Sequence, residues 1–101
     1  MKLAAAQINA KVGDINGNLN KHLEMLNLAF EQSVDLIVFP EMSLTGYCRA
    51  EGRQLAIKQS GAEIIKLQEK AKEYNLTIVV GAPIEINDDL FIGSYLSLIH
   101  I

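Results

Sequence analysis

The sequence predicts an α/β layered fold, and three observations predict it. Short apolar runs of strand length recur along the chain, two stretches carry a helical apolar period, and the two kinds alternate in the order β-α-β-α-β-β. With 101 residues, 50% hydrophobic and 21% charged, the chain has the composition of one globular domain. A formal charge of -3 gives no reason to expect nucleic acid or an anionic membrane as partner. The single cysteine, Cys48, excludes an internal disulfide framework and a multi-cysteine zinc site, and it suits a cytoplasmic location. No targeting segment stands out, because the apolar start is broken at Gln7 and Asn9.

The first element is the small apolar run Leu3 to Ile8, a buried strand. Residues 11–18 form a loop rich in Gly, Asn and Asp. A helix follows, with Leu19, Leu23, Leu26 and Phe30 on its apolar stripe, Met25 and Ala29 widening it, and Lys21, Glu24, Asn27 and Glu31 facing out. Asp14, Asn16 and Asn18 are candidate N-caps. Leu36 to Phe39 shows no alternation, which suits a strand covered on both faces, and Pro40 stops it.

Residues 41–59 read mostly as loop, with a short helical piece around 53–58. Ser60-Gly61-Ala62-Glu63 has the pattern of a capping box opening the second helix. Ile64, Leu67, Ala71 and Tyr74 make its apolar face, and Asn75 fits a left-handed terminus. Leu76 to Val80 is a third strand closed by Gly81. A hairpin over 84–99 with its turn at 87–89 completes the chain.

The chemistry is concentrated in Phe39-Pro40-Glu41-Met42-Ser43-Leu44-Thr45-Gly46-Tyr47. Glu41 falls just past the carboxyl end of a buried strand, the edge at which open α/β sheets bind ligands. A partly desolvated carboxylate there would have its pKa raised towards the range useful for proton transfer near neutral pH. Tyr47 offers a hydroxyl and an aromatic wall. Position alone leaves Glu41 a candidate, since most acids after strands are solvent-exposed loop residues.

This nine-residue segment resembles the first signature of the nitrilase superfamily of carbon–nitrogen hydrolases. Ala6-Gln7-Ile8 is similar to that family's opening strand, Gly13-Asp14 with Asn18 to its first loop, and Val80-Gly81-Ala82-Pro83 to the end of its third strand. The resemblance spans residues 3 to about 95 and implies the N-terminal part of an α-β-β-α sandwich. It further implies hydrolysis of a non-peptide C–N bond, an amide before a nitrile or carbamoyl group, with no metal and no organic cofactor. In that scheme a cysteine thiolate attacks the carbon and forms a thioester, which water then cleaves. Glu41 is the general base and a lysine stabilises the oxyanion. Tyr47 matches a position that lines the substrate pocket in some members. The implied partners are a small-molecule substrate and, for the full-length protein, a second copy of itself.

The family's lysine and cysteine cannot be placed in these 101 residues, so the chain reads as a domain that stops before both and is inactive alone. Cys48 directly follows the family tyrosine and reads most simply as a small apolar filler. Residues 96–101 depart from the family pattern and read as non-native continuation. His22 and His100 are isolated, and no metal site is expected from either. The competing reading is a non-catalytic α/β binding or assembly module. A dinucleotide-binding domain is disfavoured, because no G-x-G-x-x-G follows the first strand.

Overall fold

The computed structural model describes residues 1–47, 55–57, 61–87 and 89–97. Their elements run β1 (Leu3–Ala5), α1 (Ile15–Glu31), β2 (Leu36–Val38), α2 (Ala62–Tyr74), β3 (Thr77–Ile86) and β4 (Asp89–Ser97). The four strands form one sheet in the order β1-β2-β3-β4. β1 and β2 are parallel, as are β2 and β3, with Ala4, Ile37 and Ile78 aligned across the three. β3 and β4 form the antiparallel hairpin, in register from Ile78–Ser97 to Ile86–Asp89. The element order is the expected one. Gly81, however, does not close β3: the strand runs on through it to Ile86.

The helices cover one sheet face. Ile37, Ile78, Val80 and Ala82 from the sheet pack with Leu19, Leu26, Ala29, Ile64, Leu67 and Ala71 from the helices in one core. The alternate sheet positions are open: Leu3, Val38 and Leu96 are 64%, 40% and 56% exposed. The expectation of strands covered on both faces therefore holds on one face only. An apolar run without alternation reports that both faces are apolar and says nothing of what covers the second.

α1 begins at Asp14, whose side chain accepts from the Gly17 amide at 3.1 Å. Its buried stripe is Asn18, Leu19, His22, Leu26 and Ala29. This is rotated from the predicted one: Leu23 is half-buried, and Phe30 is 54% exposed and stacks on Tyr74 at 4.6 Å. Tyr74 also donates to the side-chain oxygen of Asn27, which ties the two helices on their outer side.

α2 buries the predicted Ile64, Leu67 and Ala71. It ends at Asn75 with φ of 53°, a left-handed conformation that asparagine tolerates. Its N-cap position falls on Gly61 without a side-chain bond, one residue later than the predicted capping box requires. Ser60 and half of the helical piece expected around 53–58 lie outside the described residues, as do Cys48 and His100, and the described residues 55–57 carry no helix. No helix among the described residues is long and apolar enough to cross a membrane.

Candidate functional site

The chain leaves β2 through Phe39, whose amide donates to Val79 at 2.8 Å, and then folds into a tight turn. Ser43 donates to the Pro40 carbonyl at 3.1 Å, and Gly46 to the Met42 carbonyl at 2.8 Å. Met42 adopts φ of 58°, which a side chain with a Cβ rarely takes and which needs support from outside the turn. That support comes from β3. Leu44 donates to the Gly81 carbonyl at 3.0 Å, and the Gly81 amide donates to Ser43 Oγ at 3.2 Å.

Gly81 is required by space as much as by bonding. A Cβ built there would lie 2.5 Å from Met42 N and 2.7 Å from the Pro40 carbonyl oxygen, both backbone atoms. The V-G-A-P segment thus supplies a flat stretch of strand on which the Glu41 turn lies.

The loop before α1 holds the other side of the turn. Gly13 donates to the Thr45 carbonyl at 2.9 Å. Asn18, a candidate cap in the sequence, instead points inward and is fully buried. Its side chain accepts from Lys11 N at 2.8 Å and donates to the carbonyls of Lys11 at 2.8 Å and Leu44 at 3.0 Å. One amide therefore fastens the first loop to the signature turn, with every bond matched to its chemistry.

Between loop and turn lies a cavity of about 280 Å³, walled by Ile8, Asn9 and Val12 on one side and by Pro40, Glu41 and Tyr47 on the other. It opens at the carboxyl ends of β1 and β2, the expected crevice of a parallel sheet. Both predicted site residues, Glu41 and Tyr47, line it. The expected desolvation of Glu41 is not found. Glu41 is exposed and Tyr47 is 69% exposed, because the turn presents both side chains at the open mouth.

The sequence reading missed His22. Isolated in the sequence, it is completely buried beneath the turn. Its Nδ1 lies 2.6 Å from the Asn18 carbonyl and its Nε2 2.9 Å from Ser43 Oγ, while its ring stacks on Phe39 at 4.2 Å. Burial lowers its pKa below the ordinary 6.5, and the bond to the Asn18 carbonyl opposes that only in part. The available signal was its spacing: His22 stands at i+3 from Leu19 and i−4 from Leu26, within the buried stripe.

Above the ordinary histidine pKa the ring is neutral in both folded and unfolded chains and carries no penalty. Below it the unfolded chain takes up the proton first, so stability falls as pH drops through 6.5 and levels off below the folded pKa. Thermal midpoints measured against pH for the parent and for His22→Phe should show this component in the parent alone; parallel curves would contradict it.

Comparison with known proteins agrees with this architecture. The chain is 30% identical over 83 residues to the glutamine-dependent NAD(+) synthetase of Thermotoga maritima, a match covering 80% of the chain and 14% of that protein. It is 33% identical over 86 residues to the Aquifex aeolicus protein of the same name, covering 82% of the chain and 15% of that protein. Among solved structures, an amidase from Nesterenkonia sp. AN1 superposes with a TM-score of 0.83 at 24% identity, over 99% of the chain and 39% of that structure. A carbon–nitrogen hydrolase superfamily protein of Xanthomonas campestris superposes at 0.81 with 17% identity, over 92% and 34%. The chain thus spans about a seventh of these curated relatives and a third or more of these structures. The sequence model of the Carbon-nitrogen hydrolase family matches residues 2–101, and the chain belongs to that family, with the fold of the N-terminal part of a nitrilase-type α-β-β-α sandwich.

Proposed function

We propose that the whole protein hydrolyses a carboxamide, that of glutamine first, with Glu41 as general base. The observation that carries this reading is the placing of Glu41 and Tyr47 together on one cavity at the carboxyl ends of parallel strands. The choice of glutamine rests on the curated relatives, which are glutamine-dependent synthetases. In the proposed reaction Glu41 takes the proton of a cysteine thiol carried elsewhere in the whole protein. The thiolate adds to the amide carbon, and a lysine, also outside these residues, stabilises the oxyanion.

Glu41 then returns the proton to the departing nitrogen as the C–N bond breaks, giving a thioester and ammonia. Water, deprotonated by Glu41, cleaves the thioester to glutamate and free thiol. The rest of the protein closes over the mouth of the cavity and supplies the desolvation that Glu41 lacks here. Tyr47, at the same mouth, contacts the substrate. The test is direct. Incubated with glutamine and no added metal, the whole protein should release ammonia, and an acid quench should trap protein heavier by one glutamyl group. No ammonia from glutamine or from simple amides would overturn the reading.

A further inference from the structure

We propose that His22 is a positioning residue for Glu41, acting through the hydroxyl of Ser43 to fix the turn on which Glu41 stands; this rests on the reading of Glu41 as general base. The bonding around His22 has one consistent direction. The Asn18 carbonyl can only accept, so Nδ1, 2.6 Å away, carries the ring proton. Among the described residues the ring's hydrogen bonds and stack go to that carbonyl, Ser43 Oγ and the face of Phe39, none of them a charge that would favour a second proton. Nε2 of the neutral ring is therefore a lone pair, and Ser43 O–H donates to it at 2.9 Å. With its proton committed to His22, Ser43 Oγ turns its lone pairs to the Gly81 amide, which donates at 3.2 Å.

One oxygen thus joins α1, the turn and β3, two residues from Glu41. The residue between them, Met42, is the one held at φ of 58°. That conformation persists only while both flanks are clamped. Without the clamp Met42 relaxes to negative φ, and the direction in which the chain presents Glu41 changes with it. A histidine retained only to fill space would need its stack on Phe39 and nothing from Ser43. The two roles separate by substitution, since phenylalanine keeps the stack and cannot accept the hydroxyl proton.

The experiment measures kcat and KM for glutamine in the whole protein carrying His22→Phe, Ser43→Ala, or both. Each single change should lower kcat roughly tenfold to a hundredfold, the scale of a reacting group displaced by a fraction of an ångström to one ångström. KM should move by less than about twofold, because the loss falls on proton transfer and not on binding. The double variant should be no slower than the slower single one, since both break the same link. In the unsubstituted protein, ring-nitrogen shifts should show His22 as the neutral Nδ1–H form.

Full kcat in folded His22→Phe and Ser43→Ala, losses that multiply in the double variant, or an Nε2–H ring would each overturn the proposal. Should His22→Phe not fold, Ser43→Ala and the ring-nitrogen shifts decide it. Glu41→Gln separates this failure from failure of the underlying reading. If Glu41→Gln is inactive while the two clamp variants are fully active, the positioning role alone is wrong. If Glu41→Gln keeps full activity, the general-base reading is wrong.

Discussion

Glu41→Gln in the whole protein is expected to lower turnover by roughly 10²- to 10⁴-fold, the range of a positioned general acid–base group. Glutamine keeps the shape of the side chain and removes the carboxylate that, in the proposed reaction, takes the thiol proton, serves the leaving nitrogen and activates water. The effect should be larger than for a base used once, because the proposed reaction uses the same group in both halves. Stability should hardly move. Glu41 is exposed, and surface changes of this kind usually stay within about 0.5 kcal/mol. Steady-state kinetics with a thermal melt of the same preparation check both halves. Unchanged kcat removes Glu41 from the mechanism, and a collapsed melt assigns it a structural task instead.

Gly81→Ala is expected to damage folding and activity together. The added Cβ meets Met42 N and the Pro40 carbonyl oxygen well inside van der Waals contact, and neither can swing away as a side-chain tip could. Relief requires the turn to lift from β3, which stretches the bonds from Leu44 and to Ser43. Overpacking of this sort costs about 1–3 kcal/mol. Denaturant unfolding should show that loss, and the surviving folded enzyme should have reduced kcat. A folded, fully active Gly81→Ala protein would show that the turn tolerates displacement and that its close seat on β3 is incidental.

Much of this was legible in the residues, for identifiable reasons. The element order follows from apolar period and turn chemistry, which are local, and α2 kept its predicted face at Ile64, Leu67 and Ala71. The α1 stripe differs from the predicted one because its most informative members are polar. Asn18 and His22 are buried by bonds to a turn more than 20 residues away, and hydrophobic spacing does not register such partners. β3 runs past its predicted end because Gly81, a residue that commonly marks a break, here serves a close approach by the neighbouring turn. Glu41 and Tyr47 were found through the signature and do share one cavity. Their exposure was not foreseen, since position after a strand fixes where a side chain starts and not what encloses it.

The bonds that hold the Glu41 turn have a bearing on how such a protein can vary over time. The bonds described from Gly13, Asn18, His22 and Gly81 to the turn all close within residues 11–81. Both partners of each of these bonds therefore lie inside one stretch of chain, while the sheet beneath it is completed from outside by β1 and β4. Changes outside it that keep β1 and β4 paired remove neither partner of any of these bonds. A chain built in this way can vary elsewhere while Glu41 keeps the same seat at the end of β2.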